Sequence, residues 1–260
     1  MNYFINLLLL TCNRIIKPVL GYRFLAAFTE KRAQLNGTAL ILNQEIKRME
    51  HNFDNFRYLE IGIYEGFVIE SVMAQSKIGV DPFPKCKSIN FLSKASIIKK
   101  SSDNFFETEN SKEFHLIFID GLHEGSQAYR DLYNSLKCLI KGGVIYIDDV
   151  WPVSDFEAKP ISKFTTREIL DLKAHVHSWK GDVYAVILYI LNQPELRSLL
   201  EVEIVGRAGQ AKCRIKDLSY NQEIVGCLKS KEDDFKRYLE YCNQNSLWAT
   251  LNNEWSESQF

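Results

Sequence analysis

Five short apolar runs recur along the middle of the chain: Tyr58–Ile61, Ile78–Val80, Ser96–Ile98, Leu116–Ile119 and Val144–Ile147. Segments long enough for a helix separate them. Short apolar runs bounded by turn residues fit buried strands, and strands alternating with helices fit a parallel sheet covered on both faces. Most of the runs end in an acidic residue or a glycine. Ligands of open parallel sheets bind beyond the carboxyl ends of the strands, near the point where strand order reverses. The residues just after each run are therefore the candidates for chemistry.

The remaining elements complete an α/β pattern. Tyr129, Leu132, Tyr133, Leu136 and Leu139 recur at three- and four-residue spacing, so a helix from about Ser126 to Leu139 packs on the sheet. Lys141-Gly142-Gly143 then stops it and turns the chain into the next strand. A second covering helix runs from Asp182 to Leu191 and ends at Asn192-Gln193-Pro194. Val202–Val205 and Lys212–Ile215 flank a short glycine-bearing connection from Gly206 to Gln210, which fits a hairpin and an antiparallel final strand. Residues 1–50 read as an N-terminal helical extension broken at Asn36-Gly37, and residues 217–260 as a charged helical tail, an appendage or contact element.

Charge and cysteine usage narrow the function classes. Lys+Arg number 32 against 33 Asp+Glu, a net charge of −1, so nothing draws the chain generally to nucleic acid or to an anionic membrane. The six cysteines lie far apart without a Cys-x-x-Cys pair, which argues against zinc and a disulfide scaffold and fits the cytoplasm. The apolar run Phe4–Leu10 lacks the basic start and the length of a secretory signal or a spanning helix. It reads either as a helix packed on the domain or in a homodimer interface, or as a membrane-surface helix over residues 1–20 with Arg14 and Lys17 near lipid phosphates.

The first run leads into Leu59-Glu60-Ile61-Gly62-Ile63-Tyr64-Glu65-Gly66, two glycines four apart where a strand meets a helix. Such a turn lets backbone approach a ligand closely. The three-glycine dinucleotide fingerprint is absent, and the Glu60 carboxylate would repel a pyrophosphate. About 20 residues on, Asp81 closes the second run, placed to accept hydrogen bonds from ribose hydroxyls. The third run leads into Ser101-Ser102-Asp103-Asn104-Phe105-Phe106, polar groups for a base edge beside aromatics for its face. Asp81 and Asp103 also suit a plainer role as turn caps.

This ordered set resembles the class I S-adenosylmethionine-dependent methyltransferases, and within them a bacterial branch linked to glycan and secondary-metabolite O-methylation. Leu59–Gly62, Asp81, Ser102–Phe106, Ile119-Asp120-Gly121-Leu122-His123 and Asp148-Asp149 carry the resemblance, over roughly Arg57 to Ile215. It implies a Rossmann-like fold, a seven-stranded mostly parallel sheet with an antiparallel last strand, in a methyltransferase domain spanning residues 51–216. By the same resemblance Glu60, Gly62, Tyr64 and Gly66 surround the amino-acid end of S-adenosyl-L-methionine, Asp81 binds its ribose, and Ser102 and Asp103 border its adenine.

The fourth and fifth runs end in Asp120 and in Asp148-Asp149, and neighbouring strands would bring all three acids to one rim. Carboxylates held together repel one another unless protons or a cation intervene, and oxygen-only ligands suit a hard ion such as Mg²⁺. The resemblance implies that such an ion binds vicinal substrate hydroxyls. Alternatively, Asp148-Asp149 cap the next segment while Asp120 touches the cofactor. His123 is the candidate general base for methyl transfer to a hydroxyl, or else a histidine that only holds Asp120. Residues 151–181, with Trp151, His175, His177 and Trp179, read as a loop-rich lid over a glycan or other small-molecule acceptor. Two readings follow, an O-methyltransferase or a cofactor-binding scaffold that has lost transfer activity. A nicotinamide enzyme and a nucleic-acid methyltransferase are disfavoured by the missing glycine and the balanced charge.

Overall fold

The computed structural model describes residues 37–49, 54–85, 95–109, 113–169, 178–205, 209–216 and 221–255. The Phe4–Leu10 run, the two lid histidines and the tip of the expected hairpin lie outside these residues.

The chain runs α1 (37–49), β1 (Arg57–Ile61), α2 (Phe67–Ser71), β2 (Ser76–Val80), β3 (Ala95–Ile98), α3 (Ser102–Thr108), β4 (Phe114–Ile119), α4 (Gly125–Lys137) and β5 (Leu139–Ile147). It continues through α5 (Asp155–Ala158), a 3₁₀ turn at Ile161–Lys163, α6 (Tyr184–Asn192), α7 (Pro194–Leu199), β6 (Leu200–Val205) and β7 (Gln210–Ile215). Three helices end it: α8 (Asn221–Ser230), α9 (Glu232–Asn245) and α10 (Trp248–Trp255). The strands form one seven-stranded sheet in the order β3-β2-β1-β4-β5-β7-β6. β1 to β5 pair in parallel, and β7 runs antiparallel to both β5 and β6. The expected Rossmann-like α/β architecture is therefore present. Strand order reverses between β1 and β4, so the crevice of the fold opens there.

Alternation along the central strands divides the core between the two faces. Tyr58, Leu116, Phe118, Val144 and Tyr146 pack with Leu42, Ile46 and Met49 of α1 and with Val68 and Ile69 of α2. Leu59, Ile61, Ile117, Ile119, Ile145 and Ile147 point the other way, into the cluster built by α3, α4 and α6. The terminal helices are not an appendage: Ile224, Leu228, Phe235, Cys242 and Leu251 belong to this second cluster. Phe235 stacks on Tyr129 with ring centroids 4.2 Å apart, and the Tyr129 hydroxyl donates to the Leu228 carbonyl at 2.9 Å. The apolar face of α9 therefore completes the cover of α4.

Two local expectations change. Lys141-Gly142-Gly143 does not separate helix from strand, because β5 already starts at Leu139 and pairs with Phe114 there. The pairing register then shifts before Leu116 meets Val144, and Gly142, at φ +80°, absorbs the extra backbone as a bulge. Phe105 and Phe106 are buried in the core rather than offered to a ligand base. Among the described residues, no helix is long and apolar enough to cross a membrane.

Candidate active site

The backbone ladder runs one residue past the strands at the carboxyl rim. The amides of Asp81, Asp120 and Asp148 donate to Ile98, Ile61 and Ile119 at 3.2, 2.8 and 2.9 Å, and Gly62 donates to Val80 at 2.8 Å. Parallel pairing thus sets the three acids in equivalent positions along one edge.

At the reversal point, Gly62 takes φ +82°, and a Cβ there would lie 1.9 Å from the Asp120 carbonyl oxygen. Only glycine permits that approach. Asp81 fastens the turn that follows: Oδ2 accepts from the amides of Ile63 (3.1 Å) and Tyr64 (2.9 Å), and Oδ1 accepts from Phe83 (2.7 Å). Tyr64 sits at φ 39° with its ring 45% exposed, and its hydroxyl takes a hydrogen bond from Lys85 at 3.1 Å. Gly66, at φ 78°, starts α2. The Glu60 carboxyl is buried on the α2 side of the sheet, where Tyr58 donates to it at 2.5 Å, and it lies within electrostatic reach of Asp120 and Asp148.

Ser102 and Asp103 begin α3, whose N-cap is Ser101. The Gln127 amide reaches both, at 3.1 and 3.3 Å, and also donates to the buried Asp131 at 3.0 Å. The border assigned to adenine is thereby tied to α4.

Across the crevice, Asp120, His123 and Asp149 each present a ligand atom within 4.8 Å of the others. His123 Nδ1 lies 2.9 Å from Asp149 Oδ2 and 3.1 Å from the Trp179 carbonyl oxygen. Both neighbours are acceptors, so the proton belongs on Nδ1, and Nε2 is left facing Asp120 Oδ1 at 3.8 Å. The ring also stacks on Trp179, with centroids 5.1 Å apart. Asp148 turns Oδ1 away from the cluster, where it accepts from the Asp149 amide (3.0 Å) and from Gln210 (2.9 Å). The other Gln210 N–H donates to Thr38 of α1 at 3.0 Å.

Tyr64, His123 and Asp149 all hold a positive φ, at 39°, 56° and 63°. Such backbone is costly for residues with a Cβ and tends to gather at functional sites.

Two solved structures illustrate what this chain is similar to. A methyltransferase of Podospora anserina bound to S-adenosylhomocysteine aligns with 74% of this chain and 88% of its own, at 15% identity and a TM-score of 0.50. An O-methyltransferase of Bacillus cereus in complex with the same molecule aligns with 79% of this chain and 97% of its own, at 15% identity and a TM-score of 0.46. Residues 59–150 match the family model described as a methyltransferase domain. The fold is that of the class I methyltransferases. No curated protein matches the chain.

The electrostatics are uneven along the rim. Burial, then the charges of Asp148 and Asp149, push the Asp120 carboxyl well above its ordinary range. Burial and Asp149 raise Asp148 to about 7. Asp149 is the exception: burial opposes its charge, but His123 and Lys180 hold it below the usual carboxylate range. Burial likewise opposes charge on His123, yet Asp149, Asp120 and Asp148 hold the imidazolium up to about 9. Glu60 is raised to about 8, first by burial.

Sequence reasoning missed the groups that arrive from a distance. Neither Lys180 nor Gln210 drew an assignment from the sequence. Asp182 accepts from the Gly125 amide at the start of α4 (2.6 Å) and from Asn243 of α9 (2.8 Å). Gly181 was the available signal: a Cβ there would meet the His123 carbonyl oxygen at 1.8 Å, so the turn at 179–182 presses on the backbone of the candidate base.

Proposed function

We propose that the protein is an S-adenosylmethionine-dependent O-methyltransferase acting on a saccharide or other hydroxylated small molecule, with Mg²⁺ assisting. What supports this reading most is that Gly62 packs against the Asp120 backbone, where a Cβ would lie 1.9 Å from its carbonyl oxygen, while the Asp120 carboxylate lies 3.8 Å from His123 Nε2.

The bound cofactor supplies an electrophilic methyl group on a cationic sulfur. Gly62, Tyr64 and Gly66 shape the turn for its amino-acid end, with Glu60 buried behind them. Asp81 has one lone pair on Oδ1 left for a ribose hydroxyl after its backbone bonds. Ser102 and Asp103 border the adenine. His123 takes the acceptor hydroxyl proton at Nε2 once the imidazolium favoured by Asp149 and Asp120 has lost its Nε2 proton, so transfer rises with pH toward about 9, while Asp149 and the Trp179 carbonyl keep Nδ1 protonated and the ring aligned.

Asp120 and Asp148 fit a hard cation, because burial and the neighbouring carboxylates drive both toward neutrality in spite of His123 and Lys180. Asp120, Asp148 and Asp149 would hold the ion, which supplies Lewis-acid polarisation of a substrate hydroxyl.

The test incubates the full chain with S-adenosylmethionine and a panel of monosaccharides, glycosides and vicinal diols, with Mg²⁺ or with a chelator. S-adenosylhomocysteine formed only with a hydroxylated acceptor, and faster with Mg²⁺, supports the reading. Calorimetric binding of S-adenosylhomocysteine with no transfer to any acceptor returns the scaffold reading.

A further inference from the structure

Lys180 is a buried cation set among acids. The residue is only 9% exposed, and its Nζ lies 3.4 Å from Asp149 Oδ1. The other oxygen of that carboxylate is the one bonded to His123 Nδ1. Burying an ammonium is expensive unless it is paired, and the nearby carboxylates of Asp149, Asp148 and Glu157 supply the pairing. The backbone fixes its position: the amides of Lys180 and Gly181 both donate to the Glu157 carbonyl, at 3.0 and 2.9 Å. The turn that carries Lys180 and Trp179 is thereby fastened beside the cluster, with the ammonium in reach of Asp149.

We infer that Lys180 is a positioning residue, the built-in counter-ion of Asp149, and that it competes with a divalent cation for that carboxylate. The inference rests on the magnesium reading above and deepens it. Without a divalent ion, Lys180 and His123 between them balance Asp149 and keep it aimed at Nδ1. A divalent ion that takes an oxygen of Asp149 meets a positive charge already in place. The site thus binds Mg²⁺ less tightly than its carboxylates alone would, and the charge on Lys180 sets by how much. A lysine that merely supported the fold would act differently, since its loss would loosen the cluster and weaken the metal.

The experiment is calorimetric titration of the full chain with MgCl₂, at saturating S-adenosylhomocysteine and fixed pH and ionic strength. Wild type is compared with Lys180→Met, Lys180→Gln and Lys180→Arg. The Met variant is expected to bind Mg²⁺ at least about tenfold more tightly, because even at the dielectric of water a unit charge a few ångströms from a divalent ion is worth that much. The Arg variant is expected to stay within about twofold of wild type, because it keeps the charge. Lys180→Gln moves in the same direction as Met and decides the matter if the Met variant does not fold. Unchanged or weaker affinity in the neutral variants, with wild type binding Mg²⁺, overturns the inference and leaves the metal reading standing. No uptake by wild type or by any variant overturns the metal reading and the inference with it.

Discussion

Two stretches of the same rim handle negative charge differently. After β2, Asp81 is satisfied by three backbone amides within or next to its own turn. After β4 and β5, Asp120 and Asp149 meet at His123, Asp148 beside them is held by Gln210, and Lys180 arrives from a distant turn to pair with Asp149. Backbone donors carry no net charge and do not titrate, so they hold one carboxylate in one geometry. Side-chain cations can be displaced, exchanged or deprotonated. The first arrangement suits a fixed cradle and the second suits chemistry.

Replacing His123 by alanine should break the comparison most severely. Methyl transfer is expected to fall by roughly 10²–10⁴, the usual contribution of a positioned general base. Affinity for S-adenosylhomocysteine, measured by calorimetry, should stay within about twofold if His123 works only on the acceptor side. An equal loss of both would place His123 in the cofactor cradle.

Asp81→Ala tests the other stretch. It strips the Ile63, Tyr64 and Phe83 amides of their acceptor, and an unpaired amide costs about 1–3 kcal/mol where water cannot replace the partner. S-adenosylhomocysteine affinity should weaken by about 10- to 100-fold, while Mg²⁺ affinity holds. A matching loss of Mg²⁺ affinity would mean that the two stretches form one coupled unit.

Glu60→Gln is the subtlest. The folded protein holds the Glu60 proton up to about 8, against 4.5 for an ordinary glutamate, so the unfolded chain ionises first. Stability from this group is therefore present at low pH and lost as pH rises from about 4.5 through about 8. Glutamine cannot ionise but still accepts from Tyr58. The variant's melting temperature should fall less than that of wild type across this window, by about 2–4 °C for each kcal/mol retained. Identical pH profiles would show that Glu60 is not held neutral.

Much of the fold was legible because its signals are local. The apolar runs from Tyr58 to Ile147 located the five parallel strands to within a few residues, since a strand covered on both faces has no polar side to show. The spacing of Tyr129, Leu132 and Leu136 located α4 for a similar reason. The Lys141-Gly142-Gly143 bulge was misread as a turn, because the glycines that end a helix also absorb an extra residue in a strand. The terminal helices read as an appendage because α9 is highly charged, and its narrow apolar stripe with Phe235 and Cys242 does not say what it will cover.

The residue types at the rim, and their order along the chain, were settled by the amino-acid sequence: an acid or a glycine follows each strand, and parallel pairing must gather those ends at one edge. Tertiary structure alone decided which charges meet. Lys180 lies 31 residues from Asp149 and Gln210 lies 62 from Asp148. Pairing over such separations depends on where folded backbone brings two side chains within about 3 Å, the reach of a hydrogen bond, and no local pattern encodes that distance.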